Sequence, residues 1–247
     1  ISEAAIVGTG LGAAAAGLRP VVEIMYSDFM GIPFDQIMNN VGLMRYMFGG
    51  KLDLPLTIRS VDGGGFAAAA QHSKTLHSLA MQLPGIRVVC ASTPYDAKGL
   101  LKASIRHDDP VFFFEHANIF NRKGEVPTEE YTLPLGEAAV VREGSDVTVV
   151  ATQAMLYEAF DAADELAGDV DVEIVSPRTL DPLDIDTIAD SVGKTGRAVV
   201  VDEPTLMAST QSEIVGQINE AAFWKLDAPI KRLGVDNVPI PFSPPLE

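Results

Sequence analysis

The stretch RVVCASTPYDAKGLLKASIRHDDPVFFFE, residues 87–115, decides the fold class of this chain. It begins with the apolar run Arg87 to Cys90, continues with helical spacing from Tyr95 to Arg106, and closes with the apolar run Val111 to Glu115. Strand-length runs on either side of a helix predict a strand–helix–strand unit whose two strands lie parallel in one sheet. The crossover of such a unit is expected to be right-handed.

The same alternation extends towards the amino terminus. An Ala/Gly-rich segment from Ile1 to Gly17 predicts a helix with an unusually smooth face. Further strands are predicted at Pro20–Met25 and Leu54–Arg59, and further helical segments at Phe34–Phe48 and His72–Gln82.

A second alternation follows a break in the pattern. Residues 116–146 carry prolines, glycines and charges with little periodicity, which predicts a linker with a short edge strand at Glu137–Val141. Beyond it the predicted elements are strand Val147–Ala151, helix Met155–Ala167, strand Val172–Val175, helix Pro182–Val192, strand Ala198–Asp202, helix Gln211–Phe223 and strand Ile230–Leu233. Two such series predict an α/β chain of two doubly wound domains, with parallel sheets covered on both faces.

Composition narrows the class of partner. The formal net charge of -16 repels phosphate backbones and anionic lipid, which argues against a nucleic-acid partner. No apolar stretch is long enough to span a bilayer. The single cysteine, Cys90, excludes an internal disulfide and an all-thiolate metal site, and its apolar neighbours predict a buried strand residue. A cytoplasmic chain is expected.

Two glycine-rich segments have competing interpretations. Gly8 to Ala13 (GTGLGA) fits the loose dinucleotide pattern, but no strand precedes it, so a helix that another backbone approaches closely is favoured. Gly63 to Ser73 (GGGFAAAAQHS) follows a predicted strand, and forms either a backbone nest for an anion or a flexible loop over a site. His72 stands at the end of that segment and can titrate near neutrality, although a lone histidine is more often structural.

Glu3 is a carboxylate among apolar and small residues. The plain interpretation is a charge in the first helical turn, which the helix dipole favours. The functional interpretation requires burial that would raise its pKa and let it share a proton.

Several longer segments of the sequence resemble those of one protein family. They are ISEAAIVG (1–8), GLRPVVE (17–23), RYMFGG (45–50), QHS (71–73) and STPYDAKGLL (92–101). In this order they are similar to the beta subunits of thiamine-diphosphate-dependent 2-oxo acid dehydrogenases, over the whole chain. RKGEVP (122–127) and the ending 239–247 most resemble acetoin dehydrogenase beta subunits, with pyruvate and branched-chain 2-oxo acid enzymes close behind.

The resemblance implies the domain plan and the partners. Residues 1–121 are expected to form a pyrimidine-binding domain, 122–137 a linker, and 138–247 a domain like the transketolase C-terminal domain. The family further implies an alpha2-beta2 heterotetramer, with thiamine diphosphate at the alpha–beta interface and magnesium held mainly by the alpha subunit. A lipoyl-bearing acyltransferase core is the implied acceptor. Family members extend beyond both ends of this sequence, so the expected pyrimidine-binding domain lacks its first strand and helix.

The resemblance also assigns site residues. Glu3 matches the glutamate that hydrogen-bonds the pyrimidine ring of the cofactor and shares a proton with it. Phe29 matches the aromatic residue packed on that ring, and Met25 and Ile1 match residues lining the pocket. His72 matches a loop histidine that faces the substrate and takes part in passing the acyl fragment to lipoyl-lysine. A structural potassium ion held by backbone carbonyls is implied at Leu56, Ser104, Ile105, His107 and Asp109, although His107 replaces an acidic residue common there.

The leading hypothesis is therefore the beta subunit of an acetoin or 2-oxo acid dehydrogenase that is active only with an alpha subunit. Its substrate is left open among acetoin, pyruvate and branched-chain 2-oxo acids. Two other classes remain: a non-catalytic assembly fragment of such a subunit, and a dinucleotide-dependent oxidoreductase motivated by residues 8–13.

Overall fold

A computed structural model describes residues 2–247 of the chain. Ten strands form two five-stranded sheets within this range. The strands are β1 (Val21–Ile24), β2 (Thr57–Asp62), β3 (Arg87–Cys90), β4 (Val111–His116), β5 (Ala139–Arg142), β6 (Val147–Ala151), β7 (Val172–Ser176), β8 (Thr179–Asp181), β9 (Ala198–Thr205) and β10 (Lys231–Val235). The α-helices are α1 (Glu3–Ala15), α2 (Met44–Met47), α3 (His77–Ala80), α4 (Pro94–Arg106), α5 (Gln153–Glu165), α6 (Ile185–Thr195) and α7 (Thr210–Ala222).

The first sheet has the order β1-β2-β4-β3-β8, and the second has the order β10-β9-β6-β7-β5. The expected parallel pairing is present throughout the interior of both sheets. Each sheet differs from the expectation at one edge, where β8 and β5 run antiparallel to their neighbours. An antiparallel edge strand on an otherwise parallel sheet is common in doubly wound folds. The two-domain α/β class predicted from the sequence is confirmed.

Strand β4 forms the centre of the first core. Phe112, Phe113 and Phe114 are fully buried, although alternate side chains of a strand point to opposite faces. Phe112 and Phe114 stack with ring centroids 4.3 Å apart on the α1 side, whereas Phe113 packs with Leu100 on the other. A strand buried on both faces is expected to be apolar without alternation, and this explains the run that closes residues 87–115.

The position of residues 8–13 in helix α1 decides between the two interpretations of this glycine-rich segment. The side chain of Ser2 caps the helix by accepting a hydrogen bond from the Ala5 amide at 3.3 Å. Residues 8–13 lie in the middle of the helix, and a Cβ at Gly10 would come within 2.7 Å of Val22 in β1. The dinucleotide interpretation is wrong, because these glycines allow close helix–strand packing and do not form a strand-to-helix turn.

Three predicted elements of the first half differ from those observed. The segment 34–48 forms a π-helical turn (Gln36–Val41) followed by α2, and the helix expected from His72 shrinks to the single turn α3. The strand predicted from Leu54 begins only at Thr57, because Pro55 has no N–H to donate to a sheet ladder.

The two halves of the chain are joined by more than the linker. Strand β8, from the second half, pairs with β3 of the first sheet. Part of the linker also packs on α4, where Tyr131 stacks on Tyr95 with centroids 4.7 Å apart and the Leu133 amide donates to the Gly99 carbonyl at 3.2 Å. In residues 2–247 no helix is both long and apolar enough to cross a membrane.

Candidate active site

The residues that follow β1 and β2 meet at the carboxyl ends of these two parallel strands. Met25, Tyr26 and Phe29 follow β1, and residues 63–74, here called the glycine loop, follow β2. In open α/β sheets the crevice outside the carboxyl ends of the strands is the usual place for a ligand. This edge of the first sheet is therefore the expected location of a ligand site.

His72 and Phe29, both predicted as site residues, come together there. The two rings lie edge to face with centroids 5.5 Å apart, and His72 packs in the same way on Tyr26 at 4.7 Å. His72 is half-buried, and within residues 2–247 neither nitrogen of its ring has a hydrogen-bond partner. The imidazole is thus held by two aromatic rings and by its own backbone, with both nitrogens available to a ligand.

Glu3 lies in the first turn of α1, as its plain interpretation predicted. Its side chain is partly buried, and in the part of the chain described its carboxylate has no hydrogen-bond or ion-pair partner. A carboxylate in this state can accept a hydrogen bond from a ligand. The functional interpretation of Glu3 stays a prediction.

The other two predicted pocket residues are less informative. Met25 is 54% exposed at the end of β1, next to the aromatic pair. Ile1 lies outside the described residues. An exposed methionine at this position offers apolar surface to a ligand or to a second chain.

The predicted potassium ligands lie together, and a charged side chain already reaches them. Arg19 Nη1 donates to the carbonyl of His107 at 3.0 Å and to that of Ile105 at 3.4 Å. The Leu56 carbonyl accepts from the Val111 amide at 2.9 Å. The Ser104 carbonyl accepts from the His107 amide at 3.3 Å, and His107 Nδ1 accepts from the Asp109 amide at 3.1 Å. A cation at this place would have to share its ligands with the Arg19 guanidinium.

The residues that anchor the glycine loop were not predicted from the sequence. Lys74 Nζ donates to the nearly buried Asp28 carboxylate at 2.7 Å, and Ser27 Oγ donates to the Lys74 carbonyl at 2.8 Å. The only local signal was the polar pair 27–28 directly after a strand and beside Phe29. These contacts hold the His72 end of the loop against the turn that carries Phe29.

A second missed group is a buried cluster between the two halves. The ring of His77 is fully buried, with Nδ1 3.1 Å from Asp62 and Nε2 2.6 Å from Asp202. Burial alone would lower the pKa of His77, but the charge of Asp202 and the hydrogen bonds to both carboxylates hold this pKa well above its usual value. Burial raises the pKa of Asp62, whereas the charge and hydrogen bond of His77 outweigh burial at Asp202 and lower its pKa.

His116 and Glu203 extend this cluster towards the glycine loop. Nε2 of His116 forms a short hydrogen bond with Glu203. Burial alone would lower the pKa of His116, but the hydrogen bond and the charge of Glu203 raise it. An acidic residue at the carboxyl end of a predicted strand (Asp202) was the available signal, but its buried partner could not be read from the sequence.

The glycine loop itself is the nest that the sequence offered as one of two interpretations. Its backbone amides bind carboxylates of the chain: the Gly64 amide donates to Glu203 at 2.8 Å, and the amides of Gly65 and Ala67 donate to Glu247 at 2.7 Å each. The nest is therefore filled and does not offer a diphosphate site.

The residues at this edge fit the pyrimidine end of a cofactor and not its phosphates. Phe29 supplies an aromatic ring at this edge, and Glu3, in the first turn of α1, supplies a carboxylate that has no partner among the described residues. The two ring nitrogens of His72 can donate or accept hydrogen bonds. Among residues 2–247 there is no group of three or more metal-ligating side chains. The site is thus suited to an apolar heterocycle with a polar edge.

Comparisons with known proteins match each half of the chain to a family. The family described as "Transketolase, pyrimidine binding domain" matches residues 1–122, and "Transketolase, C-terminal domain" matches residues 136–247. A solved structure described as "Split gene transketolase, inactive beta4 tetramer" has a TM-score of 0.78 over 96% of this chain and 74% of its own, at 23% identity. At this identity the likeness concerns the fold.

Relatives with higher identity match along nearly the whole chain. The beta subunit of acetoin:2,6-dichlorophenolindophenol oxidoreductase from Cupriavidus necator is 50% identical over 100% of this chain and 73% of its own length. The pyruvate dehydrogenase E1 beta subunit from Bacillus subtilis is 45% identical over 98% of this chain and 75% of its own. The 2-oxoisovalerate dehydrogenase beta subunit from the same organism is 40% identical over 100% and 76%.

The fold and these matches lead to one conclusion: the chain belongs to the family of beta subunits of thiamine-diphosphate-dependent acetoin and 2-oxo acid dehydrogenases.

Proposed function

We propose that this chain is the beta subunit of an acetoin dehydrogenase and that it forms the pyrimidine side of a thiamine diphosphate site shared with an alpha subunit. The observation that carries the proposal is the meeting of Phe29 and His72 at the carboxyl ends of β1 and β2, beside apolar surface exposed at Met25. The 50% identity to an acetoin-oxidising beta subunit favours acetoin over pyruvate and branched-chain 2-oxo acids.

Each residue has a definite task in this proposal. The carboxyl group of Glu3 would form a hydrogen bond with a ring nitrogen of the pyrimidine and share a proton with it, and Phe29 would pack on that ring. When bound, thiamine diphosphate supplies the carbanion chemistry that breaks the carbon–carbon bond of the substrate. His72 faces the substrate side and moves a proton as the acyl fragment is passed to lipoyl-lysine.

The alpha subunit supplies what this chain lacks. The nest of the glycine loop is filled by Glu203 and Glu247, so the diphosphate and its magnesium ion are assigned to the alpha subunit. The family further implies an alpha2-beta2 heterotetramer that works with a lipoyl-bearing acyltransferase core. The structural potassium ion stays a prediction, to be tested by comparing unfolding midpoints in potassium and sodium salts at equal ionic strength.

The test is the variant Glu3→Gln in the heterotetramer reconstituted with its alpha subunit. The amide cannot share the proton, so turnover is expected to fall by about a hundredfold or more while assembly is unchanged. The control Glu125→Gln makes the same change of charge at an exposed position in the linker and should leave turnover unchanged. Near-normal turnover of Glu3→Gln would contradict the role of Glu3.

Substrate and transfer are tested in the same preparation. Turnover is compared for acetoin, pyruvate and branched-chain 2-oxo acids, first with an artificial electron acceptor and then with a lipoyl domain. His72→Gln is expected to slow transfer to the lipoyl domain more than it slows reduction of the artificial acceptor. Stable assembly without turnover of any of these substrates would instead support the non-catalytic assembly fragment.

A further inference from the structure

The glycine loop has a backbone shaped to bind anions. The φ angles of Gly63, Gly65, Ala67 and Ala69 are all positive, between 57° and 93°. Alternation of left-handed residues along a segment turns successive N–H groups towards one side and creates a concave site for an anion. Two alanines in the left-handed region are costly to hold, so bonds from elsewhere must stabilise this conformation.

Two glutamates from the second half of the chain provide those bonds. Glu203 Oε1 accepts from the Gly64 amide at 2.8 Å, and the two carboxylate oxygens of Glu247 accept from Gly65 and Ala67 at 2.7 Å each. A Cβ at Gly64 would lie 3.3 Å from Glu247 and 3.4 Å from Glu203, which shows how closely both carboxylates approach the loop. Charge-assisted bonds of this length are among the stronger hydrogen bonds in proteins.

The two carboxylates differ in what else they contact. Glu203 also bonds His116 and lies 3.4 Å from Thr75 Oγ1, so it belongs to the buried cluster as well as to the loop. Every hydrogen bond seen for the Glu247 carboxylate within residues 2–247 goes to the glycine loop. Glu247 is therefore the residue whose removal affects the loop most selectively.

The position of His72 depends on this loop. Its ring packs on two aromatic residues but has no hydrogen bond within the described chain, and its backbone amide bonds only to Ala69 inside the loop, at 3.3 Å. The Lys74 end of the loop is fixed by Asp28, and the Gly64 to Ala67 end is fixed by the two glutamates. Loss of the Glu247 bonds leaves Gly65 and Ala67 without these partners, and this end of the loop is then held at Gly64, by Glu203 and by the Asn118 side-chain amide at 2.7 Å.

We infer that Glu247 is a positioning residue, which clamps the glycine loop from the C-terminal domain and so holds His72 against Tyr26 and Phe29. The inference rests on the proposed role of His72. It explains why a site on the pyrimidine-binding domain depends on the domain that follows: the clamp transmits the placement of the C-terminal domain to the imidazole. Glu203 supports the same loop from the buried cluster.

The first measurement does not involve activity. Hydrogen exchange is followed by mass spectrometry on the full chain for Glu247→Gln and for Glu220→Gln, an exposed residue of α7 in the same domain with the same change of charge. In Glu247→Gln the amide side chain retains one acceptor and presents a donor to the other N–H. Exchange of the peptide covering residues 63–74 is expected to accelerate by about tenfold or more, with no change in Glu220→Gln.

The second measurement uses the heterotetramer with a lipoyl domain as acceptor. Transfer by Glu247→Gln is expected to fall by about ten- to a hundredfold, with partial recovery in Glu247→Asp, which keeps the carboxylate. The double variant His72→Gln/Glu247→Gln should transfer no more slowly than His72→Gln alone, because both changes act through one imidazole. A merely destabilising change would instead add to the effect of His72→Gln.

Unchanged hydrogen exchange of residues 63–74 in Glu247→Gln would refute the inferred role of Glu247. Additive losses of transfer rate in the double variant would refute it as well. Failure of the proposed function gives a different pattern. In that case Glu3→Gln and His72→Gln retain normal turnover, whereas exchange of the glycine loop still responds to Glu247.

Discussion

Replacing His77 by leucine should test whether the buried cluster joins the two domains. The ring bonds Asp62 and Asp202 from opposite halves of the chain, and all three side chains are almost completely buried. Leucine preserves much of the volume but removes both bonds and leaves two carboxylates without their shared cation. Breaking a buried ion pair by removing one partner usually costs about 3–5 kcal/mol.

The structure places the expected value near the lower end of that range. Gln153 still donates to Asp62 at 3.1 Å, and both the Thr152 hydroxyl and the Glu203 amide still donate to Asp202. Asp62, whose pKa burial already raises, can also become neutral by taking a proton. We therefore expect His77→Leu to lower the free energy of unfolding by about 3 kcal/mol.

The assay is urea unfolding of the full chain followed by circular dichroism. For an m-value of about 2–3 kcal/mol/M, the midpoint should fall by roughly 1 M. The control Arg142→Ala removes an exposed ion pair with Asp164 and should change the free energy by about 1 kcal/mol or less. A His77→Leu midpoint within about 0.3 M of the unmodified chain would refute the reasoning.

The loss of unfolding free energy in His77→Leu should depend on pH, in a direction set by the pKa shifts of His77 and Asp202. The pKa of His77 is raised on folding, so its stabilisation is fully present below the usual histidine pKa and is lost as the pH rises through the folded value. The pKa of Asp202 is lowered, so its stabilisation is present above the usual aspartate pKa and is lost as the pH falls through the folded value. The difference in unfolding free energy between the unmodified chain and His77→Leu should be largest between these limits and shrink on both sides. A difference that grows as the pH rises above the folded pKa of His77 would contradict the assignment of charge.

Three further variants or reactions test packing. Gly10→Ala should destabilise the chain by about 1–3 kcal/mol, because its Cβ would press on a side chain of β1. A Cβ at Gly12 on the same helix meets nothing within 4 Å, so Gly12→Ala should stabilise the chain by up to about 1 kcal/mol. Equal unfolding midpoints for the two variants would contradict this packing of α1 on β1. Cys90 is buried, and burial raises its pKa to about 11, so a thiol reagent should modify it only after unfolding in urea; rapid modification of the folded chain would show that β3 is accessible.

Much of the fold follows from local patterns. Apolar runs such as Val111–Glu115 predicted buried strands, because a strand covered on both faces has no polar side to alternate. The helix-start position of Glu3 also followed from the residues around it. Local patterns failed where a segment has distant contacts: His72 to Leu76 has helical spacing but lies in a loop, in which Lys74 binds Asp28 and Thr75 Oγ1 lies 3.4 Å from Glu203.

The features of the candidate site also divide into those predicted from the sequence and those that only the tertiary structure shows. The sequence by itself determined the order of strands and helices and the burial of Cys90, and its resemblance to a family predicts that Glu3, Phe29 and His72 serve one cofactor. Only the tertiary structure decided what occupies the glycine loop, because Glu247 lies 182 residues from Gly65. It also decided that His77 is a buried cation between two carboxylates. A charged residue has the same local sequence signal whether it is solvated or buried, and only long-range packing determines which partner removes it from water.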